Sequence, residues 1–297
     1  MPDTMEFIGV NTAGSSSRRL FPVWADVLGI PGSWLVGHDL PLDADPACYR
    51  AAIDQIATDP EIRGALITTH KVKIHAAAAD LFDDLDPLAR LCGEVSCVSK
   101  RAGRLLGHAK DPVTAGRALH HLLAPEHFAR TGGHVLCLGA GGAGTAIAAH
   151  FLTRAADPPE RLVLTDTAAD RLDAVRAVAE RAGAQPLALH SAADTEQLLA
   201  ALPPDSLIIN ATGLGKDRPG SPLPAGATFP DRAIAWELNY RGELPFLQQA
   251  RAARLRTFDG WLYFLHGWSE HIAQVFDLAV PPELFERLRH RSGEDRP

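Results

Sequence analysis

The stretch Val135-Leu136-Cys137-Leu138-Gly139-Ala140-Gly141-Gly142-Ala143-Gly144 decides the fold. Four apolar residues read as a buried strand, the glycines interrupt it, and residues 143–154 resume with a helical pattern. The run fits G-x-G-x-x-G between a strand and a helix. In that setting the first glycine permits a tight turn and the second lets the main chain approach a pyrophosphate. The third allows close helix–strand packing. Free N–H groups at the helix start then face the phosphates. Gly139, Ala140, Gly141, Gly142, Ala143 and Gly144 are therefore expected to cradle a dinucleotide. Asp166 ends the next strand, 22 residues after Gly144, where a carboxylate accepts hydrogen bonds from the adenosine ribose. A plainer role open to it is a helix cap. Thr167 and Ala168 supply no arginine for a 2′-phosphate, and Arg171 stands about a turn and a half into the helix, a poor substitute. The pattern favours NAD over NADP.

Outward from this unit, short apolar segments alternate with helical patterns. Strands are expected at 134–138, 162–165, 186–189, 206–210 and 233–238, with helices at 143–154, 168–182 and 244–253. Strands separated by helices of this length mean β-α-β units and a parallel sheet. Upstream, strands at 7–10, 35–40 and 65–69 alternate with helices at 20–28, 47–57 and 74–82. Pro22 suits that first helix only in its opening turn. Residues 95–98 and 105–108 flank Arg101-Ala102-Gly103, a hairpin signal. Asp111-Pro112 opens a helix through 123. Near the end, Trp261, Leu265, Trp268, Ile272 and Val275 recur at spacings of 4, 3, 4 and 3, an amphipathic helix. The polar tail from Arg289 reads as frayed.

The whole is an α/β protein: an N-terminal α/β substrate domain at 1–112, joined by C-terminal helices at 259–290, and a Rossmann-type doubly wound domain at 113–258. The cleft between them is the expected site. The 297 residues, 46% hydrophobic and 22% charged, have ordinary globular composition. No apolar run reaches about 18 residues, and no signal peptide is visible at the start. A formal charge of −7 argues against nucleic acid or an anionic membrane as main partner. Cys48, Cys92, Cys97 and Cys137 are scattered, without zinc-site spacing, and fit a cytoplasmic protein. Cys137 reads as a small buried hydrophobe. His120-His121 is an improbable metal site, because adjacent helical residues face different ways, and no metal is expected.

Further motifs carry a resemblance. Gly9-Val10-Asn11-Thr12-Ala13-Gly14-Ser15-Ser16-Ser17 follows the first strand, Ile67-Thr68-Thr69-His70-Lys71 ends the third, and Gly93-Glu94-Val95-Ser96-Cys97 and Gly107-His108-Ala109-Lys110-Asp111 border the hairpin. Asn210-Ala211-Thr212-Gly213-Leu214-Gly215 and Glu237-Leu238-Asn239-Tyr240 end later strands. With the Rossmann unit second, the chain resembles the shikimate/quinate dehydrogenase family over nearly its whole length. The resemblance implies that Ser15 and Ser17 bind a substrate carboxylate, that Lys71 and Asp111 are catalytic, and that Thr212 and Gly213 line the cofactor. It also places Thr68, Ser96, Tyr240 and His266 at the substrate. Lys73 competes with Lys71 if the loop aligns without a gap. Ser96, Ala109, Lys110 and His266 depart from the family's pattern and point to a diverged substrate: shikimate, quinate or a related hydroxylated cyclic acid or cyclitol. The implied reaction is reversible oxidation of a ring hydroxyl with NAD, NADP being disfavoured. The alternative is a non-catalytic NAD-binding sensor or partner protein on the same scaffold. A monomer or a homodimer fits equally.

Overall fold

The first strand, β1 (Thr4–Gly9), is buried over all but its first residue, as a strand flanked on both sides requires. In this computed structural model, which describes residues 3–184, 187–216 and 218–293, the chain follows it with α1 (Ser16–Val27), β2 (Trp34–Asp39), α2 (Pro46–Thr58) and β3 (Ile62–Ile67). Then come α3 (Lys71–Ala78), β4 (Asp84–Leu85), α4 (Pro87–Cys92), β5 (Cys97–Arg101) and β6 (Arg104–His108). These strands form one mixed sheet in the order β2-β1-β3-β5-β6-β4. β1 pairs parallel with β2 and β3, and β5 runs antiparallel to β3 and β6. Ala102 and Gly103, with φ of 49° and 78°, make the two-residue turn of the β5–β6 hairpin, where positive φ at both positions matches the twist of the strands.

The rest of the chain begins with α5 (Asp111–Leu122), α6 (His127–Thr131), β7 (Val135–Leu138), α7 (Gly142–Thr153), β8 (Leu162–Asp166) and α8 (Ala169–Ala182). β9 (Leu187–Ser191), α9 (Thr195–Ala200), β10 (Leu207–Asn210), β11 (Ile234–Glu237), α10 (Pro245–Ala252) and β12 (Arg256–Phe258) complete a second sheet and its cover. All its strands are parallel, in the order β12-β11-β10-β7-β8-β9. That order reverses direction between β7 and β10, so a crevice opens beyond the carboxyl ends of those two strands. α11 (Trp261–Phe276) and α12 (Pro282–Gly293) end the chain. The contacts divide it into two units, Met1–Lys110 with Gly267–Pro297 and Asp111–His266.

Several local expectations are corrected. α1 starts at Ser16 rather than near 20, so Pro22 lies inside it. Ser15 caps the helix, and the burial of Leu20, Phe21, Trp24 and Ala25 outweighs the roughly 3 kcal/mol that an interior proline costs. The tail is not frayed from Arg289. α12 continues to Gly293, where buried Ser292 accepts a 2.8 Å hydrogen bond from Trp24 Nε1 and donates to the Leu288 carbonyl. The helix at 74–82 is instead α3 from Lys71 to Ala78 and a 3₁₀ turn. The strand placed at 186–189 runs from Leu187 to Ser191, and Pro186 lies outside the described residues. β4, α4, α6, α9 and β12 are too short to show a period.

Candidate functional site

The glycine run sits at the crevice. Gly139 leaves β7 with φ of 102°, and a Cβ there would lie 2.8 Å from the main chain of Ala211 and Thr212 in the loop after β10. A Cβ on Gly144 would lie 2.0 Å from the Gly139 carbonyl, so only glycine lets α7 pack this close to β7. Gly141 and Gly142 differ: a Cβ on either meets nothing within 4 Å. Gly141 is the N-cap of α7, and no side chain caps that helix. The N-terminal N–H groups and the positive end of the helix dipole thus face open space beside the crevice, the chemistry that a pyrophosphate requires. Cys137, beneath the loop, is fully buried and its thiol is pushed up to about 12 by burial, so it is inert.

Asp166 is nearly enclosed. Its Oδ2 accepts the Ala140 N–H at 2.8 Å and its Oδ1 accepts the Ala168 N–H at 3.0 Å, with Thr167 Oγ1 at 3.5 Å. It therefore ties the glycine loop to the start of α8. A carboxylate offers about four acceptor positions, which leaves room for a ribose hydroxyl beside these bonds. Arg171 reaches it after all: its guanidinium lies 3.7 Å from Oδ2. Helical periodicity returns residue 171 to the face above Asp166, so a cation stands beside Asp166 although Thr167 and Ala168 supply none.

The loop after β10 is built on one buried carboxylate. Asn210 and Glu237 are register partners on β10 and β11, and Glu237 Oε2 accepts from Asn210 Nδ2 at 2.6 Å. Its Oε1 accepts from the Asn239 N–H at 2.8 Å and from Asn239 Nδ2 at 2.7 Å. Asn210 Oδ1 in turn accepts from Thr212 N and Oγ1, at 3.1 and 2.6 Å. Burial pushes the Glu237 carboxyl up to about 7, against the pull of these amides. Tyr240, next to Asn239, packs on Phe264 and Trp261 with ring centroids 4.6 and 5.4 Å away. His266, nearly buried on α11, has its Nε2 3.0 Å from Nε2 of His121 on α5. Burial, with His121, Arg117 and His120 adding to it, pushes His266 down to about 3, so it is a neutral ring. Asp111 is the first residue of α5, where the helix dipole favours a carboxylate.

In the first unit, Ser15 caps α1 by accepting the Ser17 N–H, and the hydroxyls of Ser15 and Ser17 are 2.8 Å apart. Thr68 donates from Oγ1 and N–H to the Ile8 carbonyl. His70 is fully buried, with Nε2 3.0 Å from the Leu40 carbonyl and Nδ1 3.2 Å from the Tyr49 hydroxyl. An Nε2–H donor and an Nδ1 acceptor satisfy both contacts. This ring anchors the start of α3, whose first residue is half-buried Lys71. Lys73 is exposed and donates to the Leu42 carbonyl. Ser96 is enclosed: its hydroxyl accepts the Lys110 N–H at 2.8 Å and donates to the His108 carbonyl at 3.4 Å. It shapes the segment before Asp111 and offers no free surface to a ligand.

No sequence motif assigns a role to His121, Glu237 or Asn239. An acidic residue closing an apolar strand was the available signal for Glu237; nothing local links His121 to a residue 145 positions away.

Comparison with known proteins supplies the remaining findings. No protein-family model matches the chain. A shikimate dehydrogenase (NADP(+)) of Methylobacterium radiotolerans is 34% identical over 291 residues, covering 95% of this chain and 94% of that one. One of Streptococcus gordonii is 32% identical over 179 residues, and the match spans only 60% of either chain. A quinate dehydrogenase of Corynebacterium glutamicum, solved in complex with NAD, superposes with a TM-score of 0.78 at 21% identity over 99% of both chains.

Proposed function

The chain belongs to the shikimate dehydrogenase family of NAD(P)-dependent oxidoreductases acting on CH–OH groups, and we propose that it reversibly oxidises one ring hydroxyl of shikimate, quinate or a related hydroxylated cyclic acid or cyclitol. The observation that carries this is the open, uncapped start of α7 beside the Asn210–Gly215 loop, at the point where the strand order reverses. We place the protein in the cytoplasm, acting on a small molecule as a monomer or homodimer.

The glycine loop, Asp166, Thr212 and Gly213 would hold the dinucleotide, and the nicotinamide supplies hydride acceptance and donation when bound. Lys71 and Asp111 carry the acid–base roles. Lys71 Nζ takes the hydroxyl proton as the alcohol is oxidised and returns it in the reverse direction. His70, locked by Leu40 and Tyr49, orients the backbone that carries Lys71. Lys73 is the weaker choice because it stands exposed two residues further along α3, whereas Lys71 follows directly on the buried His70. Ser15 holds the substrate carboxylate at the start of α1, with the fully buried Ser17 hydroxyl steadying it from 2.8 Å; Thr68, Tyr240 and His266 border the ring, and Ser96 acts through the Lys110 main chain.

A neutral imidazole at 266 offers one donor and one acceptor, and one of these faces His121. It therefore addresses ring hydroxyls differently from an amide, which favours a substrate diverged from shikimate. Asp166 favours NAD, and Arg171 narrows the margin by neutralising part of its charge.

The test is an absorbance screen of shikimate, quinate and ring polyols with NAD and with NADP. Slow turnover of shikimate, faster turnover of another ring alcohol, and a shift toward shikimate in His266→Gln are expected. A kcat/KM for shikimate of about 10⁴ M⁻¹s⁻¹ or above would remove the case for divergence. Dinucleotide binding without turnover of any ring alcohol would favour the non-catalytic sensor.

A further inference from the structure

Glu237 is fully buried at the end of β11, carries no role in the reaction above, and holds two loops at once. Its Oε2 receives Asn210, whose Oδ1 grips both N–H and hydroxyl of Thr212. Its Oε1 receives two N–H groups of Asn239, whose side chain also donates to the Leu214 carbonyl at 3.0 Å. Every donor that meets the carboxylate is an amide. Of the charged groups on neighbouring elements, Arg218 donates to the Thr212 carbonyl, Arg256 on β12 to the Leu122 carbonyl, and Arg251 on α10 is exposed. We propose that Glu237, in its ionised form, is the positioning residue for dinucleotide binding, fixing Thr212 and the Asn239–Tyr240 turn through opposite carboxylate oxygens. This rests on the dehydrogenase reading.

The polarity of the clamp explains why a carboxylate is needed. Three N–H donors take three of the carboxylate's roughly four acceptor positions, so a proton added there either displaces a donor or takes the one position left and weakens the acceptors beside it. Where it displaces Asn210, that amide must reverse to present Oδ1. Reversal takes Oδ1 away from Thr212 and frees the loop. An amide at this position faces the same conflict, because its NH₂ would meet Asn210 Nδ2 donor to donor. Charge alone predicts the reverse effect: removing a buried negative charge near an anionic dinucleotide would tighten binding.

The sign of Glu237→Gln therefore separates positioning from charge. Binding of NAD and NADP to the full chain is measured by titration calorimetry, alongside melting temperature. Glu237→Gln should raise both dissociation constants about tenfold or more. Adding Asn210→Asp should restore them to within about threefold, since the carboxylate at 210 can accept from the amide at 237 and still hold Thr212. In the unmodified chain, the competent fraction falls as pH drops through about 7, so dissociation constants should rise about tenfold between pH 8 and pH 6. The single variant should lose that slope. Unchanged or tighter binding by Glu237→Gln, or no recovery in the double variant, overturns the inference alone. Failure of the unmodified chain to bind either dinucleotide overturns the dehydrogenase reading and this inference with it.

Discussion

In the parallel-sheet unit the proposed binding surface is mostly main chain: N–H groups at the start of α7, a glycine turn, and a loop pinned by Asn210 and Glu237. In the first unit it is made of side chains at strand and helix ends: Ser15 at the start of α1, Thr68 after β3, Lys71 at the start of α3. Main-chain recognition tolerates almost any sequence that keeps the glycines. Side-chain recognition changes with each substitution. The departures from the family's pattern, at Ser96, Ala109, Lys110 and His266, lie outside the glycine run, which is intact.

The largest expected effect tests the side-chain half. Lys71→Ala should lower kcat about 10²-fold or more while dinucleotide affinity stays within about twofold. Lys73→Ala should keep near-normal turnover. Steady-state kinetics on the best substrate of the screen decide it, and the reverse pattern would move the catalytic role to Lys73.

The next effect tests the main-chain half. Gly144→Ala puts a methyl 2.0 Å from the Gly139 carbonyl, and should destabilise the fold by about 1–3 kcal/mol and weaken dinucleotide binding at least tenfold. Gly142→Ala meets no protein atom within 4 Å. It should leave the melting temperature unchanged or slightly higher, yet weaken binding by intruding on the open space. Equal losses of stability in the two variants would break the distinction between packing glycines and binding glycines.

A smaller effect is expected at Asp166. Like charges about 4 Å apart cost on the order of 4 kcal/mol at an effective dielectric near 20, but Arg171 and solvent screen most of this. NAD should bind several-fold tighter than NADP, and Asp166→Ser with Thr167→Arg should narrow or reverse the preference. Paired titrations show which. Tighter NADP binding by the unmodified chain would make Arg171 the deciding group and leave Asp166 as a tie between loops.

The smallest effect is on stability against pH. The Glu237 carboxyl titrates near 7 in the fold, against 4.5 ordinarily. Between those values the folded chain holds a proton that the unfolded chain has lost. This contribution is complete below about 4.5 and is lost as pH rises through 7. Glu237→Gln should therefore flatten the fall in melting temperature, by a few degrees, between pH 6 and pH 8. An identical slope in both proteins would show that Glu237 does not titrate in that window.

Legibility followed the range of the interactions. The unit around residues 135–182 could be read because its signals are local: an apolar strand, glycines, a helix of three to four turns, an acidic residue ending the next strand. The Ala102–Gly103 hairpin was legible for the same reason. α1 was misplaced because Pro22 obscures a helix that long-range burial sustains. The end of α12 was misread because its polar surface conceals Ser292, which meets Trp24 from 268 positions away. Arg171 looks remote along the chain, yet the helix brings it to Asp166.

The sequence by itself determined the α/β class, the glycine turn, and the residues that carry the family likeness, since periodicity and glycine placement act over neighbouring residues. Only the tertiary structure decided which polar groups remain available. It committed the Ser96 hydroxyl to the main chain, paired His266 with His121, and made Glu237 the support of two loops. A buried polar group must be satisfied by whatever folding brings against it, and those partners lie 14, 145 and 27 positions away for the first bond of each, beyond the reach of any local pattern.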